Sequence, residues 1–239
     1  MSVDPRAFAA TRWTLVMAAR GDTPEARSAL SDLCAAYYEP VVCFLRREGR
    51  TDDAARDMAH AFFAGILAGG RFDAADPSRG RFRSYLLGAL KHFVLHERRK
   101  GDAESRGGAA IHVPLTSPTD TRAGFEVPQA TDVAPEREFD RQWALTVLQR
   151  AMTTLESEFV AVGKGEHFRQ LRPWLTGADA MSQTEAAAAL GMSVGAIKVA
   201  VHRLRQRFRE MVKAEIAQTT AGDAAGVKEE LAYLISVLG

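Results

Sequence analysis

From Phe8 to about Arg99 apolar residues recur every three to four positions, interrupted at Gly21-Asp22, Gly49-Arg50, Gly69-Gly70 and Asp76-Pro77. That spacing lays apolar side chains along one stripe of a helix, and the Gly and Pro breakers divide the stretch into four or five helices of one bundle. Met58, Phe62 and Ile66 fall on one helix face, leaving Asp53, Arg56, Asp57 and His60 on the other. From Lys100 to Pro135 the period is lost among Gly101, Gly107, Gly108, Pro114, Pro118, Gly124, Pro128 and Pro135, the composition of a linker. A second helical block opens at Glu136 with the stripe Phe139, Trp143, Val147, Leu148, Met152 and Leu155, and runs to about Val212. After the breaker Gly222 to Gly226, Leu231, Leu234, Ile235 and Leu238 predict a short amphipathic helix over Val227 to Leu238, docked on one of the domains. No alternating run bounded by hairpin turns is present, so the expected fold class is all-α, with two helical domains joined by a flexible linker. The division is 1–100, linker 101–135, 136–213, and an extension 214–239.

Composition narrows the partners. With 239 residues, 46% hydrophobic and 26% charged, the chain has the make-up of a folded protein. A formal net charge of +1 gives no global attraction to nucleic acid, so any affinity for DNA must come from cations gathered on one face. Cys34 and Cys43 have neither the spacing of a zinc site nor the number of a disulfide framework, and read as small buried residues. Met1 to Trp13 lacks a signal-peptide core, and no apolar run approaches a membrane span, so the expected compartment is the cytoplasm, without membrane attachment.

The strongest local signal lies between Ser182 and Lys198. Ser182 with Glu185 forms a capping box at the start of a short helix; Gly191 suits a left-handed helix end, and Ser193 suits the N-cap of the next helix. Helix, tight turn and helix in this order are a helix-turn-helix. In the second helix Ile197, Val201, Leu204, Phe208 and Met211 share one buried stripe. Lys198, His202, Arg205 and Arg209 lie on one side of it, and Arg203 and Arg207 toward the other. Such a helix can enter a major groove with its N-terminal residues near bases and its arginines near phosphates. Lys198, His202, Arg203, Arg205 and Arg207 are therefore the candidate DNA contacts of this block. A basic helix alone is more often a solvated face; the capped helix and glycine turn before it shift the balance toward DNA.

The residues Gly191 to Lys198, with His202-Arg203-Leu204-Arg205, resemble the fourth domain of extracytoplasmic-function sigma factors. Ala55 to Phe63 and Arg79 to Leu86 resemble sigma domain two, and the two matches stand in the family's order with a linker between them. The resemblance implies a dissociable subunit of bacterial RNA polymerase and not an enzyme: promoter DNA and core RNA polymerase are the partners, no cofactor is needed, and the polymerase supplies the chemistry. It also implies that domain two docks on polymerase through the face bearing Asp53, Arg56, Asp57 and His60. Arg79, Arg81, Arg83, Lys91, Arg98, Arg99 and Lys100 would then meet the non-template strand. Two weak readers on one tether gain from effective concentration. Phe72, Phe82 and Tyr85 are candidates for stacking on unpaired bases, although Phe82 repeats with Leu86 and Leu90 as a core residue would; Tyr85 stays open between the two.

This chain departs from the family in two places. Where relatives carry an acidic cluster on the polymerase-binding helix, it has Ala54, Ala55, Arg56 and Asp57, and like charges across an interface disfavour docking. Thr51 stands just before that helix. Phosphorylation there by a serine/threonine kinase, in the manner of a kinase-linked subgroup of the family, would add about two negative charges at a helix N-terminus, a position the macrodipole favours. The alternative is that Thr51 is simply an N-cap. In the recognition helix, Ala196, Val199 and Ala200 replace polar residues; they can touch thymine methyls but make no bidentate base contacts.

Two rival readings remain. A stand-alone helix-turn-helix regulator would bind an operator without polymerase. An enzyme would have to rest on His92 and His96, four apart beside Glu97, a spacing that can place two imidazoles on one metal but shows no third ligand, so no metal site is expected.

Overall fold

The computed structural model describes residues 23–68, 82–105, 134–177, 181–220 and 224–239. Phe72, Arg79, Arg81, the turns expected at Gly21-Asp22, Gly69-Gly70 and Asp76-Pro77, and most of the expected linker lie outside them. Every element in the described residues is helical, so the fold is all-α.

Helix α1 (Pro24–Arg47) buries Leu30, Leu33, Tyr37, Val41, Phe44 and Leu45. Glu25 in its first turn and Arg46 and Arg47 in its last oppose the macrodipole. Gly49 ends it at φ 86°, where a residue bearing a Cβ would be strained, and Arg50 N–H closes the turn on the Leu45 carbonyl at 3.2 Å. Helix α2 (Asp52–Leu67) buries Ala55, Ala59, Phe62, Phe63 and Ile66, with Met58 half-buried beside them. In α3 (Phe82–Ser105) the fourfold spacing of Phe82, Leu86, Leu90 and Val94 makes one buried stripe. Residues 101–105 of the expected linker complete α3.

Helix α4 (Pro135–Ala161) begins with the proline that favours a first helical position. Two short helices follow, α5 (Gly165–Leu171) and α6 (Pro173–Thr176), the latter ended by Gly177 at φ 68°. Then come α7 (Gln183–Leu190), α8 (Val194–Ala217) and α9 (Ala224–Leu238).

Among the described residues the apolar interior forms two clusters, and their boundary falls inside α4, between Ala151 and Met152. The first cluster centres on Tyr37, whose ring meets Phe82 at 5.1 Å, Trp143 at 5.9 Å and Phe139 at 6.1 Å between centroids. It gathers α1, α2, α3 and the first half of α4 with Val212 and Ile216 of α8 and Leu234 of α9. The second joins Met152 and Leu155 to Phe168, Leu171, Ala186, Ala187, Ile197, Val201 and Leu204, and Phe208 and Met211 border both. Packing therefore cuts across the division expected at residues 101–135, because α4 and α8 each contribute to both cores.

The C-terminal helix packs against α4 and α8, as an amphipathic helix should, but its buried face is not the one expected. Leu234 is buried and Leu231 half-buried, whereas Ile235 is 65% exposed. The helix starts at Ala224, inside the expected breaker, includes Gly226, and turns Glu230 rather than Ile235 into the protein. Cys34 is buried in α1, where burial pushes its thiol up to about 12, out of the reactive range. Among the described residues no single helix is long and apolar enough to cross a membrane; α7 and α8 pass only as a pair, bent by 98°.

Candidate nucleic-acid interface

The turn between α7 and α8 is built from local hydrogen bonds. Ser182 Oγ accepts the Glu185 N–H at 3.2 Å, and Glu185 Oε2 accepts the Ser182 N–H at 2.7 Å, so two donors of the first turn are satisfied reciprocally. Those bonds hold the Glu185 carboxyl below the usual glutamate range. Gly191 takes the left-handed conformation at φ 62°, and Ser193 Oγ accepts the Ala196 N–H at 3.2 Å to start α8. Ala186 and Ala187 are buried and keep α7 slim enough for close approach. The two helices meet at 98°, the geometry of a helix-turn-helix.

Ile197, Val201 and Leu204 anchor α8 in the second core, and Phe208 and Met211 are half-buried along the same stripe. Lys198, His202 and Arg209, at spacings of four and seven, share one exposed face. Arg205 lies on that side too, but its Nη2 donates to the carbonyl of Trp174, in α6, at 3.2 Å. Arg203 is exposed on the opposite flank, where it edges an open apolar hollow of about 580 Å³ shared with Phe159, Met192 and Val199. Arg207 is removed from the expected DNA contacts. Its guanidinium grips Glu158 through Nε at 2.9 Å and Nη2 at 2.6 Å, and Glu210 through Nη1 at 3.0 Å. Two carboxylates consume its charge, which keeps Arg207 firmly protonated and Glu158 below its ordinary value.

The cations of α3 are placed differently. Arg83 was expected at DNA and is 8% exposed. Its Nη1 lies 2.5 Å from Asp140 Oδ1 of α4, and its Nε 3.0 Å from Glu230 Oε1 of α9. Its guanidinium carbon stands 4.4 Å from the Tyr233 ring centroid and 5.5 Å from that of Trp143, and the Tyr233 hydroxyl donates to Asp140 Oδ2. Lys91 pairs with Glu136 at 2.7 Å and Arg98 with Glu48 at 2.5 Å, while Arg99 is exposed. Phe82 is fully buried and so is core, not a stacking platform; Tyr85 is half-buried beside it at 6.2 Å.

Sequence reading missed the Arg83 cluster, yet left a trace of it. Arg83 shares the stripe of Leu86 and Leu90, Asp140 that of Ala144 and Val147, and Glu230 that of Leu234. A charge on an apolar stripe needs a partner, because burying it alone is prohibitive.

On α2, Asp53, Asp57 and His60 are exposed as expected. His60 Nε2 is hydrogen-bonded to the Tyr38 hydroxyl at 2.9 Å, their rings stacked at 5.3 Å. Arg56 reaches back to Asp52 at 3.0 Å and lies 3.9 Å from Glu39, while Arg46 approaches Asp52 at 3.4 Å. The unusual cation of this face is thus compensated by its own neighbours. Thr51 is the N-cap of α2, its hydroxyl accepting the Ala54 N–H at 3.3 Å, and it is exposed. Among the described residues no group of three or more His, Cys, Asp and Glu gathers to hold a metal; His92 and His96 are both exposed.

No protein-family model, curated protein or solved structure matches the chain.

Proposed function

We propose that the chain is an RNA polymerase sigma factor, which directs promoter recognition and transcription initiation with α8 as its upstream reading helix. The observation that carries this reading is the capped, glycine-turned pair α7 and α8, meeting at 98° with Lys198, His202 and Arg209 on an exposed face. Exposed cations at this spacing suit phosphates on either side of a major groove, and Lys198 near the helix start is best placed for base edges. Core polymerase docks on the exposed face of α2, through Asp53, Asp57 and His60. The tie between Arg56 and Asp52 lowers the net negative charge there.

Phosphorylation of Thr51 by a serine/threonine kinase is the proposed switch. Its exposure admits a kinase, and a phosphate at the N-terminus of α2 adds acidity where the helix lacks it. The test is transcription with purified core polymerase, comparing unmodified, phosphorylated and Thr51→Ala protein. Initiation by the phosphorylated form well above the other two is expected. Equal activity of all three would refute the switch, and no promoter-dependent activity in any form would refute the sigma reading.

One observation favours the stand-alone regulator: Arg83, Lys91 and Arg98 are engaged by carboxylates, which leaves α8 as the better exposed basic helix. A gel shift separates the two readings, since a regulator shifts its site without polymerase and a sigma factor of this kind binds poorly until core polymerase is present.

A further inference from the structure

Arg83 is held in a manner that resembles recognition more than packing. Its guanidinium faces carboxylates from two helices, Asp140 on α4 and Glu230 on α9, and lies against the rings of Trp143 and Tyr233. Anionic oxygens from two sides, one to Nη1 and one to Nε, beside aromatic faces are what a guanidinium meets in a nucleic-acid strand, where phosphate oxygens replace carboxylate oxygens and bases replace rings. Two negative charges on one cation also leave an excess. If α9 departs, Glu230 leaves with it and Arg83 keeps only Asp140, so an incoming phosphate substitutes for Glu230 charge for charge.

We propose that α9 is an autoinhibitory clasp, in which Glu230 and Tyr233 occupy the place on Arg83 and Trp143 that an unpaired DNA strand takes when α9 swings away. This deepens the sigma reading and rests on it, since it assigns the strand-holding surface of the α3 end of the molecule. Two features make α9 the part that moves: Ile235 on its outer face is 65% exposed, and Leu234 is its one fully buried apolar side chain, with Val227 and Leu231 half-buried beside it. Elements with few buried apolar contacts open at a fraction of the global unfolding cost. The start of α3 is pinned in the same region, where the Phe82 N–H donates to the Thr219 carbonyl just beyond α8.

The test uses the full chain without polymerase. Glu230→Gln preserves volume and removes the charge; Glu230→Gln/Leu234→Ala also removes the apolar anchor, for the case in which the single change leaves α9 seated. Two readouts are taken: hydrogen exchange of α9 amides, and fluorescence anisotropy with a short labelled single-stranded oligonucleotide and its duplex. Loosening of α9 is expected together with a gain in single-strand affinity on the order of tenfold, duplex binding within about twofold, and loss of the gain when Arg83→Gln is added. The clasp is overturned if α9 loosens in either variant while single-strand affinity stays unchanged, or if the gain survives Arg83→Gln. It is equally overturned if the double variant holds α9 as firmly as the parent chain. Because polymerase is absent, this outcome is separate from polymerase capture: a gain without capture refutes the sigma reading alone, and capture without a gain refutes the clasp alone.

Discussion

Helices α3 and α8 are both 24 residues long, and both carry a run of basic side chains between apolar positions at helical spacing. Their surroundings differ. Arg83, Lys91 and Arg98 of α3 meet Asp140 and Glu136 of α4, Glu230 of α9 and Glu48 in the turn after α1, whereas Lys198, His202 and Arg209 of α8 face outward. Charge density along a helix is thus no measure of electrostatic availability. What decides is whether the packed neighbours bring carboxylates to the same face, and that in turn decides which helix the long-range field presents to an anionic partner.

The contrast makes its largest prediction about stability. Arg83→Met should lower unfolding free energy by about 3–5 kcal/mol, because it strands two carboxylates in the interior, while Lys198→Ala should change it by less than about 0.5 kcal/mol. Chemical denaturation monitored by circular dichroism measures both, and equal effects would erase the distinction between the helices.

Next in size is duplex binding. Replacing Lys198, His202 and Arg209 together by alanine should weaken affinity at least about tenfold and flatten the salt dependence by about two phosphate contacts. Lys91→Ala/Arg98→Ala should leave both within about twofold in the free protein. Arg203→Ala is expected to weaken binding evenly across sequences, and a sharp change of preferred motif in a binding-site selection would contradict it.

A smaller effect tests the local construction of the turn. Ser182→Ala should destabilise the second core by about 1 kcal/mol through loss of the cap, read as a lower denaturation midpoint. The smallest is a pH effect. Glu185 and Glu158 both have carboxyls held below the ordinary value of 4.5, by Ser182 and by Arg207. A depressed carboxylate adds stability above its unfolded value and loses it as the pH falls through the folded one. The helix-turn-helix should therefore loosen as the pH drops below about 4.5, and Glu185→Gln should make that loss shallower in a titration followed by circular dichroism.

What the amino-acid order alone determines here is what lies within four residues. The caps at Thr51, Ser182 and Ser193, the left-handed turns at Gly49 and Gly191, and the buried stripes of α2 and α8 all use partners one helical turn away, so the fold class and the helix-turn-helix could be read directly. The fate of the charges could not. Arg83 finds Asp140 57 positions away and Glu230 147 positions away, and Arg207 finds Glu158 49 positions away. Only packing brings such groups within hydrogen-bond reach, and a buried charge must then pair, whatever its neighbours in the chain suggest. The same holds for the split of the two cores inside α4 and for the face of α9: both depend on which helices meet, and helix period carries no information about that.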